Sequence, residues 1–273
     1  MTTREMDDIS HWFDAYVETF SRINEGLHPL LQLKVDHSRR VARDAEALAQ
    51  GLDWHASDAN AAKALGLLHD AGRFPQFAEY KTFSDSVSVD HGEYGRSVVA
   101  NAPVLCSLFP AERKSILDGI RHHNAKVIPV GLTPSSLPFL KLIRDADKLD
   151  IFFIVLNAVE TDGFRDLPIM LPHVTLDRSC SPEIVQDLRN RRCCSLGNVR
   201  SLGDFLLMQL SWVFDLNYTP AFRRFSQRRI ISRIIRQLPV DSYTKHIGTI
   251  VEEFVADRLN NSKVSRPSRK AVA

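Results

Sequence analysis

Apolar residues recur along most of this chain at the three- and four-residue steps of an α-helix, and the strict alternation of a half-buried strand is missing. Asp8 to Ile23 reads as an opening amphipathic helix. Leu33 to Leu52 reads as the next, with Leu33, His37, Val41, Ala45 and Leu48 on one stripe and Gly51 as its stop. Ser57 suits the cap of a third helix, which runs through Ala61, Ala64, Leu65 and Leu68 into His69 and Asp70 before Gly72 and Pro75 break the pattern. The aromatic stretch carrying Phe74, Phe77, Tyr80 and Phe83 is expected to pack rather than line a base pocket. Three further helices are predicted at Asp90 to Asn101, from Pro110 to the His122-His123-Asn124 end, and from Pro138 through Asp147 to Val159. Thr161 to Arg200 is the least regular region. Beyond it come Leu202 to Leu216, Ala221 to Leu238 and Ser242 to Leu259. The prediction is an all-α protein: a helical domain over 1–160, a helical extension over 161–261 packed on it, and a disordered basic tail over 262–273.

Composition changes this picture little. A chain of 273 residues, 44% hydrophobic and 25% charged, can bury a substantial core and is not grossly disordered. A formal net charge of +2 is too small to argue for nucleic acid or a membrane across the whole surface. The start lacks a basic segment followed by an apolar run, and the longest apolar stretch, Ile151 to Val159, is interrupted by Asn157. A cytoplasmic protein is therefore expected, with no membrane partner. Cys106, Cys180, Cys193 and Cys194 lack C-x-x-C spacing and read as reduced thiols. The run Arg223-Arg224, Arg228-Arg229, Arg233 and Arg236 reads as a solvated basic face over a core stripe, so nucleic acid is not expected as a partner. Self-association stays open.

The chemistry lies where polar residues interrupt apolar faces. His37 shares a stripe with Val41, His69 with Leu65 and Ala62, and Asp147 with Leu140, Ile143 and Ile151. A lone inward histidine is most often a hydrogen-bonded core residue. An inward carboxylate costs several kcal/mol unless a cation or several donors compensate it, on the order of the penalty for any buried ion. Three helices that each send His or Asp inward are explained together by one shared divalent metal. Asp145, off the apolar stripe, reads as solvated; Asp150, one turn beyond Asp147, could support the site from behind.

The phrases HSRRVARDAEALA, LGLLHDAGRF, HGEYGRSVV, ILDGIRHHN and LKLIRDADKLD, in this order from about Val35 to Asp150, resemble the HD-domain superfamily of metal-dependent phosphohydrolases. The resemblance implies a helical HD-domain bundle with additional C-terminal helices. It carries His37 onto the family's first histidine, His69-Asp70 onto its doublet and Asp147 onto its last aspartate. A subset of the superfamily adds histidines and holds two metals, for which His91 and the pair His122-His123 are the candidates here. Asp70 would then bridge two ions. The ligand chemistry admits manganese, iron, zinc, cobalt or nickel. Arg73 stands where many relatives have a lysine and is a candidate to grip a phosphate.

After HHN the chain reads AKVIPVGL, without the G-Y-P phrase of cyclic-di-GMP phosphodiesterases. After HD it reads AGRF, not the paired acids of guanosine-alarmone hydrolases. The remaining expectation is hydrolysis of a phosphate mono- or diester of a small metabolite, a nucleotide among the options, by metal-activated water. Two other classes share the ligand set: a di-iron oxygenase of the same superfamily, and a non-catalytic sensor of a nucleotide or metal.

Overall fold

The computed structural model describes residues 1–22, 26–171, 173–240 and 242–264. Every extended element among them is helical, and the β-type pairing is limited to two isolated bridges, Arg22 with Gly26 and Thr175 with Ser201. Contacts divide the chain into two units, Met1–Asp150 and Ile151–Ala273.

The first unit is built from α1 (Thr3–Glu18), α2 (Pro29–Gly51), α3 (Ala56–Leu68), α4 (Arg73–Tyr80), α5 (His91–Asn101), α6 (Pro110–His122) and the first part of α7 (Ser136–Asp162). Thr2 opens α1 with a reciprocal capping box to Glu5, satisfying amide groups that a helix start leaves without partners. Its aromatic face then builds a cluster: Phe13, Tyr16 and Phe20 pack around Phe74, and the Tyr16 hydroxyl donates to the Ala71 carbonyl at 2.9 Å. The start of the chain thus buttresses the turn that carries His69 and Asp70. Phe74 and Phe77 are buried, so these two aromatic residues pack as expected, whereas Tyr80 is exposed.

The α2–α3 crossing is close because it is lined by small residues. Ala42, Ala45 and Ala49 of α2 and Ala59, Ala62 and Gly66 of α3 are all buried, and a Cβ at Gly66 would lie 2.7 Å from the Ala42 Cα. α2 starts earlier than the apolar stripe suggested, at Pro29, whose missing amide hydrogen costs nothing in a first turn. Leu33 is 60% exposed and off the buried face; a four-residue step overshoots a full turn by about 40°, which carries it past the edge. α3 begins at Ala56 with His55 in the cap position, two residues before the expected cap Ser57. The pattern expected to break at Gly72 and Pro75 resumes as a helix over Arg73–Tyr80 (α4), since Pro75 falls in its first turn, where the chain tolerates proline.

The second unit contains the rest of α7, then α8 (Leu167–Met170), α9 (Pro182–Arg189), α10 (Leu202–Ser211), α11 (Thr219–Gln227), α12 (Ile230–Ile235) and α13 (Ser242–Val264). Phe152 packs edge-on against Trp212 and Phe225, and Phe254 of α13 against Phe214 and Phe222. The expected single helix from Ala221 to Leu238 is broken at Arg229, whose φ is 52°. Phe225 and Ile230, five residues apart, would sit about 140° apart on one helix; the break lets both be buried. Arg233 within this basic run is paired with Glu160 through two hydrogen bonds of 2.9 and 2.6 Å. α10 gives way to a 3-10 turn at Trp212–Asp215, shortening the helix expected to reach Leu216. Ile23, and the expected tail beyond residue 264, lie outside the described residues; 262–264 belong to α13. No described helix is long and apolar enough to cross a membrane.

Candidate metal centre

Five elements of the first unit converge on one point. α2 contributes His37, the residues just past the end of α3 contribute His69 and Asp70, the first residue of α5 is His91, His123 caps the end of α6, and Asp147 comes from α7. Close backbone approaches set their meeting. A Cβ at Gly72 would collide with the His91 carbonyl oxygen, so the start of α5 lies directly on the turn after Asp70. A Cβ at Gly119 would lie 2.6 Å from a Leu65 methyl, which brings the ends of α3 and α6 together. Gly95 also lies against Gly72 and Ile120.

The four imidazoles share one arrangement. His69 Nδ1 donates to the Gly66 carbonyl at 2.8 Å and His123 Nδ1 to the Ile120 carbonyl at 2.7 Å, each reaching back three residues. A carbonyl can only accept, so these rings carry their proton on Nδ1. His37 Nδ1 lies 2.6 Å from Asp150 Oδ2, and Arg40 clasps that carboxylate at 2.6 and 3.1 Å. His91 Nδ1 lies 2.6 Å from Asp85 Oδ2, with Arg73 Nη1 and Gln76 Nε2 both 2.9 Å from Asp85 Oδ1. Each ring is thereby anchored at Nδ1, and each Nε2 is turned inward.

The inward atoms surround Asp70. Its Oδ2 lies 3.6 Å from His37 Nε2 and 3.8 Å from His69 Nε2; its Oδ1 lies 3.4 Å from His91 Nε2 and 3.7 Å from His123 Nε2. Asp147 Oδ1 closes the first side at 3.2 Å from His37 and 3.7 Å from His69. The Nε2 atoms of His37 and His69 are 3.2 Å apart, and those of His91 and His123 are 3.0 Å apart. Nitrogen lone pairs held this close, beside two carboxylates, call for a cation between them. His37, His69 and Asp70 form one candidate ligand group, Asp70, His91 and His123 another, and His69, His123 and Asp147 overlap both; within each the ligand atoms lie within 4.8 Å of one another. The residues fit one or two divalent ions, with Asp70 presenting one oxygen to each side.

Electrostatics agree with that donor set. Burial alone would raise Asp70 and Asp147, yet Lys34 and His69 at the former and His37 and His69 at the latter hold both carboxyls well below the usual range. Both are ionised. Burial pushes His69 down, and it pushes His91 down to about 4 against the pull of Asp85, so both rings are neutral, the form in which an imidazole can ligate a metal. At His37 burial is outweighed by hydrogen bonds to Asp147 and Asp150, which raise it: without a metal, a proton takes the place of a cation beside Asp147.

His37, His69, Asp70, His91, His123 and Asp147 are therefore brought together. His122 is not. Adjacent helical residues point about 100° apart, so only one of the pair can face the cluster; His122 is half-buried among Arg121, Asp118 and Glu93. Arg73 is adjacent, but its Nη1 is spent on Gln76, the Phe83 carbonyl and Asp85. These contacts hold the support of His91, while the Arg73 Nε lies 3.6 Å from Asp70 Oδ1. Asp145, expected to be solvated, is fully buried, because α7 is enclosed on more than one side here and Arg144 and Ala146 are buried with it. Asp150 supports His37 from behind. Sequence reasoning missed Lys34, Asp85 and Asn124. Lys34 Nζ sits 2.8 Å from Asp70 Oδ2, and Asn124 Nδ2 lies 3.3 Å from Asp85 Oδ2. Lys34 could have been found, since it lies one turn before His37 on the same helix.

No curated protein and no solved structure matches the chain. One family model does, that of the HD domain, over residues 35–151, a span that begins just before His37 and ends just after Asp150. It takes in the entire cluster, and HD domains make up a superfamily of metal-dependent hydrolases. With these helices, this cluster and this span in agreement, residues 35–151 of the chain are similar to the HD domain.

Proposed function

We propose that this chain is a metal-dependent phosphohydrolase acting on a phosphate mono- or diester of a small metabolite. The observation that carries the reading is the set of four imidazoles anchored at Nδ1 with Nε2 turned toward one bridging carboxylate, Asp70. His37, His69, Asp147 and one Asp70 oxygen would hold one ion, and His91, His123 and the other Asp70 oxygen a second. Bound there, divalent ions supply an acidified water as nucleophile and positive charge against the phosphoryl oxygens.

The chain's own groups prepare that chemistry. Asp150 with Arg40, and Asp85 with Arg73, hold His37 and His91 in the tautomer that ligates, while the Gly66 and Ile120 carbonyls do so for His69 and His123. Burial of His69 and Asp70 keeps competing water from the ligand atoms. Asp147, whose side chain is 17% exposed, marks the open side toward which a substrate would approach.

The test is elemental analysis of the purified chain joined to a phosphatase and phosphodiesterase screen with added manganese, nickel and cobalt. Asp70→Ala and His69→Ala are expected to lose both metal and turnover while circular dichroism stays helical. Full metal content in either variant overturns the ligand assignment. Iron content with substrate-dependent oxygen uptake and no phosphate release would instead assign the oxygenase branch.

A further inference from the structure

Resting on the hydrolase reading, we infer that Lys34 is the residue that receives a phosphoryl oxygen of the substrate, the role the sequence suggested for Arg73. Arg73 is tied to the support of His91 through one end of its guanidinium. Its Nη1 is shared between Gln76, the Phe83 carbonyl and Asp85, and its Nε is 3.6 Å from Asp70. Arg40 is likewise engaged with Asp150. Lys34 is closer: its Nζ makes a 2.8 Å contact with Asp70 Oδ2, the oxygen that also faces His37 and His69, and among the described residues it is tied to no supporting carboxylate.

That contact exists because Asp70 is a buried carboxylate in want of positive charge. With Asp70 committed to a divalent ion, Lys34 loses its counter-charge. The ammonium cannot withdraw into the core. It stands at the edge of the site, its side chain 23% exposed and held over the Phe83 ring at 5.5 Å, so a single flexible stem can turn it from Asp70 toward an arriving ligand. The charge balance sets the ligand's class. Asp150 is offset by Arg40 and Asp85 by Arg73, which leaves Asp70 and Asp147 against the ions. One divalent ion neutralises those two carboxylates and a second leaves the site in surplus, with Lys34 adding to it in either case. A multiply charged oxyanion such as a phosphoryl group restores the balance, and one of its oxygens takes the place of Asp70 Oδ2 as the partner of Nζ.

The experiment is calorimetric titration of inorganic phosphate into the manganese-loaded full chain, with manganese content measured on the same samples. Lys34→Ala and Lys34→Gln are expected to bind phosphate about tenfold or more weakly, the loss typical of a charge-assisted hydrogen bond. Their manganese content should equal the wild type's, and Lys34→Arg should recover most of the affinity. Wild-type phosphate affinity in the Ala and Gln variants overturns the inference, as does loss of manganese from them, which would make Lys34 a support of Asp70 only. A loaded wild-type chain that binds no phosphate overturns it as well. Turnover of esters is read separately: phosphate binding through Lys34 without any turnover leaves this inference standing and removes the hydrolase reading, whereas turnover with phosphate affinity indifferent to Lys34 does the reverse.

Discussion

An imidazole ligates well only when its other nitrogen is held, and here two holders are backbone carbonyls and two are carboxylates backed by arginines. The carboxylate holders can be removed without touching a ligand. Asp85→Ala is expected to weaken metal binding on the His91 side about 10–100-fold, the usual cost of losing such a partner. Asp85→Asn, whose side-chain oxygen still accepts from Nδ1, should lose less. Metal-to-protein ratios under a graded chelator would check this, with His122→Ala as the control expected to match wild type. Equal retention of metal by Asp85→Ala and wild type would refute the role. At this scale the sequence was legible where helix periodicity aims a residue: His37, His69 and Asp147 all point inward as their stripes require. Asp85 lies in a 3-10 turn, where no period exists to aim it. Lys34 was missed because a lysine at a helix edge reads as solvated until its partner, distant in sequence, is known.

Among the elements, the α2–α3 crossing fixes the spacing of the whole cluster, since it carries His37 on one side and His69-Asp70 on the other. Gly66 allows it. A Cβ there would sit 2.7 Å from the Ala42 Cα and 2.9 Å from its nitrogen, and backbone cannot step aside as a flexible side chain can. Gly66→Ala is expected to destabilise the protein by about 1–3 kcal/mol, the range for overpacking, against the modest gain that alanine brings to most helix interiors. Urea denaturation would check the sign; a stabilised variant would mean that the helices separate freely. The existence and order of the longer helices were legible from periodicity in both units, whereas the short α4, α8 and α9 were not predicted. Boundaries and breaks were less so, because they depend on what each segment packs against. Arg229 adopts a left-handed backbone with neither glycine nor proline to announce it, and only the burial of both Phe225 and Ile230 explains why. Pro75 misled in the opposite direction, marking the first turn of α4 rather than a break in the helical pattern.

For the molecule as a whole, a buried cluster of ionised carboxylates and closely spaced imidazoles is a weakness that a bound cation turns into stability. Metal that binds the folded chain and not the unfolded one adds roughly 2.7 kcal/mol at a hundred times its dissociation constant. The thermal midpoint should therefore rise with manganese and fall with chelator, and more so in wild type than in Asp70→Ala. The pH dependence follows from the histidines. His91 is lowered from an ordinary 6.5 to about 4 by burial, and His69 is lowered in the same direction. On acidification the unfolded chain takes up those protons first, so their contribution to stability falls as the pH drops below about 6.5, that of His91 over the range down to about 4. His37 is raised, so its contribution is present at low pH and is lost as the pH rises through its folded value; one ring opposes two. Protons also compete with the metal for every Nε2. The increment in midpoint given by manganese is thus expected to shrink from pH 7.5 to pH 5.5, measured by calorimetry with and without the ion. An increment that held constant across this range, roughly one that spans the ordinary histidine pKa, would mean that the imidazoles are not what holds the metal.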